Sequence, residues 1–174
     1  MPLTNKLNKM NNNNSTKGIY NKNILTRKIY LSINEIGSNL KVNIEKKLQE
    51  TLEGKCNVEG YIKQNTINVL EYSSGEVKGY KIIFYVNFEC LICKPVEGTI
   101  LKDCIVRNNT KAGIRAELKN ENPSPLVIFV SRDHNYKNEK LSKLNEDDII
   151  DVRLIGIRYE LNDVNICAIG ELVN

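Results

Sequence analysis

Two thiols three residues apart, Cys90 and Cys93, and a single histidine, His134, are the first groups in this chain that invite a chemical test. A structural zinc site takes four Cys or His ligands, commonly as two close pairs. Here there is no second CxxC, and Phe88-Glu89-Cys90-Leu91-Ile92-Cys93 is an apolar run that reads as strand. Residues i and i+3 of a strand face opposite ways, so the pair is expected as separated, buried structural thiols. The full set of five cysteines (with Cys56, Cys104 and Cys167) is odd in number, which fits reduced thiols better than a disulfide framework.

Catalysis needs converging titratable groups. His134 has no GxSxG nucleophile elbow to serve, no GxxxxGKS/T phosphate loop occurs, and Asp147 and Asp148 are neighbours at the start of a strand, facing apart. No catalytic residue, metal site or cofactor is expected. What remains is binding chemistry. Single-stranded nucleic acid is held by a positive groove with aromatic platforms. The candidates are Arg107, Lys111 and Arg115 around one hairpin, Arg132, His134 and Tyr136 after a later strand, and Arg153, Arg158 and Tyr159 near the last hairpin. Phe129 sits in the unbroken apolar run Leu126-Val127-Ile128-Phe129-Val130 and is expected in the core.

These residues need elements to position them. Of the 174 residues, 41% are hydrophobic, enough to bury a core, and the net charge of +4 permits phosphate contact without demanding it. No stretch approaches the roughly 18 apolar residues of a membrane span, and the N-terminus lacks the apolar region of a secretory signal, so an intracellular protein without a membrane partner is expected. Residues 1–23 are rich in Asn and Lys with no acid, which predicts a disordered tail. From Ile24, apolar Ile29, Leu31 and Ile33 alternate as in a strand. Leu40, Ile44, Leu48 and Leu52 then recur every four residues, an amphipathic helix that Asn34 or Ser38 can cap and Gly54 can end. Three β segments follow, Cys56–Ile62, Thr66–Leu70 and a long apolar Lys81–Cys93, giving a βαβββ, α+β unit over residues 24–94.

After Pro95 the pattern changes to five short strands: Val96–Arg107, Ala112–Leu118, Pro125–Ser131, Asp148–Arg158 and Asn165–Val173. Five strands without a long helix predict an all-β barrel of the OB type over residues 95–174. Gly113 is expected to supply a positive φ or a tight bend in its first hairpin. With no linker at the boundary, the two parts are expected to pack tightly.

The run Cys90-Leu91-Ile92-Cys93-Lys94-Pro95-Val96-Glu97-Gly98-Thr99-Ile100 resembles the junction between the two domains of the subunit-seven family of eukaryotic and archaeal RNA polymerases. Ile128-Phe129-Val130-Ser131 looks like that family's third barrel strand, and Leu52-Glu53-Gly54-Lys55-Cys56 with Gly60-Tyr61-Ile62 looks like its helix exit and tip-loop motif. The resemblance implies a truncated RNP-like tip domain followed by an S1-type OB domain, in a non-catalytic stalk subunit. Its implied partners are polymerase core subunits (the largest subunit, near the clamp), nascent single-stranded RNA and a second stalk subunit. It also implies core docking through loops at Gly54, Gly60 and Tyr61. The Asn/Lys/Ile bias is similar to versions from large cytoplasmic DNA viruses, with the host cytoplasm or virion as location; a cellular member would be nuclear. The family's S1 domains that bind RNA strongly carry an aromatic after the hairpin glycine and a third-strand histidine. Ile114, Arg115 and Ile128-Phe129 stand there, so a weak, sequence-tolerant surface is expected. The alternative is a free-standing OB-fold RNA-binding factor, for example in translation initiation.

Overall fold

The chain alternates between one helix and short to medium strands, and a computed structural model describes residues 18–136 and 139–173. The first seventeen residues of the expected tail lie outside the described residues. The rest of it does not behave as a tail. Strand β1 spans Tyr20–Ser32, four residues earlier than the apolar alternation indicated, and pairs antiparallel along its whole length with β6 (Lys81–Cys93), from Tyr20 opposite Cys93 to Ser32 opposite Lys81. Its early residues are polar because they lie on an exposed face, where Lys22 meets Glu89 at 2.7 Å.

Helix α1 (Leu40–Leu52) forms as its spacing predicted, and Ile44, Leu48 and Leu52 are its buried stripe. The cap is neither Asn34 nor Ser38: Ile33–Glu35 is a short 3-10 turn boxed by Ser32 and Glu35, and the N-cap is Asn39. Gly54, at φ +69°, ends the helix, a conformation with little cost only without a Cβ. The strands β2 (Cys56–Asn57), β3 (Gly60–Ile62), β4 (Asn68–Tyr72) and β5 (Glu76–Lys78) follow. β3, β4 and β5 all pair with β6, so the most apolar strand is the centre of the sheet. One face of this sheet buries Ile29, Leu31, Val69, Phe84, Val86 and Phe88 under α1.

The remaining strands, β7 (Ile100–Asn109), β8 (Gly113–Leu118), β9 (Leu126–Ser131), β10 (Ile149–Arg158) and β11 (Ile166–Leu172), close into a barrel in the order β7-β8-β9-β11-β10. β9 and β11 are parallel and the other neighbours antiparallel, an OB-type topology. Between β9 and β10 a 3-10 turn, Glu139–Ser142, drops Leu141 into the barrel core.

The barrel and the helix-backed sheet share an apolar core. Cys56, Tyr61 and Cys93 belong to the barrel's buried cluster, whereas Cys90 lies in the cluster under α1. The CxxC is therefore split between two cores, as strand geometry requires. Burial pushes the Cys90 thiol up to about 11 and those of Cys93 and Cys104 up to about 12. Polar ties cross the same seam. The Cys56 N–H donates to the Asp163 carbonyl (2.7 Å), the Asn162 N–H to the Cys56 carbonyl (2.9 Å), and the Lys63 ammonium to Glu121 (2.9 Å) while lying 4.4 Å over the Tyr20 ring.

Candidate nucleic-acid interface

Strand β9 alternates strictly: Leu126, Ile128 and Val130 are buried, while Phe129 is 40% exposed. The core assignment of Phe129 is therefore overturned. An unbroken apolar run conceals which parity faces inward, and here the smaller branched side chains fill the barrel while the ring stands on its outer face. Arg115 on β8 is its direct cross-strand partner, and Ile169 on β11 flanks it on the other side. Gly156 on β10, next to the outward Ile155, continues the row. The result is a band running from a guanidinium over an aromatic to two isoleucines. Gly113 does not take a positive φ; what it provides is space, because a Cβ there would lie 2.9 Å from the Phe129 ring and clash with the Val130 carbonyl.

The next row of the outer face is Glu117, Val127, Cys167 and Arg158. Glu117 accepts from Arg115 (3.0 Å) and from Arg107 on β7 (3.2 Å), so it holds two guanidiniums side by side and cancels one of their charges. Arg107 also approaches Asp147 at 3.9 Å. Lys111 is exposed in the β7–β8 turn, Arg153 lies opposite Glu171, and Arg158 meets Glu160 at 2.8 Å. Such exposed pairs are weak and can exchange one anion for another.

Four of the expected contact residues have other work or lie elsewhere. Arg132 donates to the Thr110 carbonyl (3.1 Å), the Asn109 side chain (2.8 Å) and Ser142 (3.1 Å), fastening the strap after β9 to the first hairpin. Tyr159 is half-buried against the barrel core, and its hydroxyl donates to the Val58 carbonyl across the seam (3.4 Å). His134 and Tyr136 are exposed in that strap, beyond the end of β9. The sequence-selected residues thus separate into Arg107, Lys111 and Arg115 at one end of the band, Arg153 and Arg158 at the other, and a strap cluster apart from both.

Of the expected docking residues, Gly60 and Tyr61 are buried and Gly54 is half-buried. Tyr61 is 2% exposed and lies within the barrel's core cluster. Gly60, at φ +131°, is backed by the Cys93 carbonyl, 2.5 Å from where a Cβ would stand, and Gly54 is packed on Gln64. The glycine motif serves close packing within the first unit, Gly60 against the end of β6 and Gly54 against the segment after β3.

An OB-type barrel with an aromatic and basic outer band is thus joined to a helix-backed sheet. No known family profile matches the chain. It is similar to a protein of Acanthamoeba polyphaga mimivirus assigned as DNA-directed RNA polymerase subunit L376, with 29% identity covering 76% of this chain and 73% of that one. It is also similar to the DNA-directed RNA polymerase II subunit RPB7 of Glycine max, with 25% identity over 81% of this chain and 86% of the relative. The resemblance to the polymerase subunit-seven family read from the junction motif is borne out across most of the chain.

Proposed function

We propose that this chain is a non-catalytic stalk subunit of a multisubunit DNA-directed RNA polymerase. On this reading residues 24–94 form a truncated RNP-like tip that docks on core subunits near the clamp, and residues 95–174 form an S1-type domain that touches nascent single-stranded RNA. The observation that carries it is the outward Phe129 beside Arg115 on an OB-type barrel, in a chain similar along most of its length to polymerase subunits. Nothing in the band reads base edges with paired donors and acceptors, so the contact is tolerant of sequence: bases stack on Phe129, Ile155 and Ile169 while guanidiniums meet phosphates.

The burial of Gly60 and Tyr61 favours a docking surface at the opposite end of the sheet. There Ile33, Val77 and Tyr80 are 70%, 77% and 99% exposed, on the 3-10 turn after β1, on β5 and on the turn between β5 and β6, at the end of the sheet away from the barrel. Large apolar side chains gathered at one end are what a partner surface buries. An affinity-tagged chain isolated from its native source co-purifies with the large polymerase subunits and crosslinks to nascent transcript, and replacing Val77 and Tyr80 by Asp breaks the co-purification while the fold persists. A tagged chain that binds RNA but never brings down polymerase subunits overturns the stalk assignment and leaves a free-standing RNA-binding factor.

A further inference from the structure

Where the barrel meets β1, a cleft of about 810 Å³ opens at the side of the junction. That is within the roughly 300–1,000 Å³ range of sites that enclose small organic groups. Its lining includes Ile19 and Ile100 as apolar surface, Lys94, Lys102 and Lys119 as positive charge, and two carboxylates, Asp103 and Glu121, the second of them paired with Lys63. All three lysines are exposed, and among the described residues none of them forms an ion pair. This contrasts with the barrel band, where Glu117 and Glu160 already occupy Arg107, Arg115 and Arg158.

The cleft is continuous with the band. Along β8 the outward positions are Arg115 and Glu117, and Lys119 follows at the same parity just past the strand's end. Four residues of extended chain carry the surface about 13 Å from Arg115 to the cleft. The Lys119 N–H donates to the Asp103 carbonyl (3.3 Å), which brings the β8 exit alongside the β7 segment that bears Lys102. Lys94 closes the cleft from the β6 exit.

We propose that this junction cleft binds the sugar-phosphate backbone of single-stranded RNA leaving the barrel face, with lysine ammoniums on phosphates and a base against the Ile19 and Ile100 surface. Charge decides the ligand class: with Glu121 already held by Lys63, three ammoniums outnumber the one remaining carboxylate, Asp103, and around an apolar floor they suit a polyanion with planar apolar groups, lysine providing point charges without demanding one geometry. The proposal rests on the reading of the barrel band as an RNA surface. It adds a second segment to the path and so a minimum length of RNA for full affinity.

The test uses fluorescein-labelled oligouridylates, one just long enough to cover the barrel band and one extended beyond it, titrated in anisotropy against the full chain at several salt concentrations. The triple variant Lys94→Gln, Lys102→Gln, Lys119→Gln is expected to bind the long oligonucleotide roughly tenfold more weakly at low salt and the short one as wild type does. Its slope of log affinity on log salt for the long oligonucleotide flattens by about 2, or 0.7 for each phosphate no longer neutralised. Because the three side chains are exposed, its melting temperature serves as the control for folding. If the triple variant binds the long oligonucleotide unchanged while Phe129→Ala weakens both, the cleft proposal falls and the barrel reading stands. If wild type binds neither oligonucleotide at low salt, both fall. Equal weakening of short and long oligonucleotides marks diffuse attraction and also overturns the cleft, as does an acidic peptide displacing neither RNA yet binding through the three lysines.

Discussion

Truncating Phe129 to Ala separates binding from folding, because this ring is the one large aromatic on the barrel's outer band. Base stacking on an aromatic is worth about 1–3 kcal/mol by alanine substitution. At ~1.4 kcal/mol per decade that is a reduction of roughly 5- to 150-fold in RNA affinity. The folding cost is smaller than for a core aromatic. The side chain is 40% exposed, so a little over half of the roughly 1.5–3 kcal/mol available from full burial is at stake, about 1–2 kcal/mol. For a chain of this length that lowers Tm by roughly 2–8 °C and leaves the protein folded at assay temperature. Phe129→Tyr keeps the π-face and should retain binding, while Phe129→Leu keeps apolar area and forfeits most of the stacking. Anisotropy of a labelled oligouridylate, with thermal melts of each variant, reads both quantities. Phe129→Ala binding within twofold of wild type, or Leu substituting fully for Phe, would refute the stacking assignment.

Tyr61→Ala, which opens a cavity where the two sheets share a core, should cost about 3–5 kcal/mol in urea denaturation, while wild type unfolds in a single transition. Arg27 donates to Glu59 at 2.6 Å and holds that carboxyl below its ordinary value of 4.5. Its stabilisation is therefore present above pH 4.5 and lost as pH falls through the folded-state pKa, so the Tm gap between wild type and Arg27→Gln should be largest near neutrality and close in acid. Cys167 is exposed, whereas burial raises the Cys93 and Cys104 thiols to about 12. Native protein should react with a thiol reagent first at Cys167, with the buried thiols following only on denaturation, as peptide mapping of the alkylated chain would read.

Much of the architecture was legible in residue spacing. A four-residue apolar repeat marked α1 to its first and last residue, and the density of Lys81–Cys93 marked the central strand, because both patterns record burial directly. The polar start of β1 was not legible, since Tyr20–Asn23 lie where the sheet is wet on one side and their pairing with β6 leaves no apolar trace. Phe129 was misplaced for the converse reason: a strand with apolar residues on both parities gives no phase. The glycine motif was ambiguous at a third level. Glycines at 54 and 60 announce a close approach, and only the tertiary structure says that what approaches is the chain's own Gln64 and Cys93. Among the charged candidates, composition could not show that Glu117 binds both Arg107 and Arg115, because its partners come from two strands.

The shared core at Tyr61, Cys56 and Cys93, with its backbone ties to Asn162 and Asp163, has a mechanical consequence. β6 is 13 residues long and runs unbroken from the exposed turns to the barrel, a span of about 43 Å. With no hinge at its end, a tilt of about 5° imposed at the far turns would carry the barrel about 4 Å sideways over that length. The molecule is then a lever as well as a surface: small rocking of whatever holds one end is delivered, amplified, to whatever strand lies against the other.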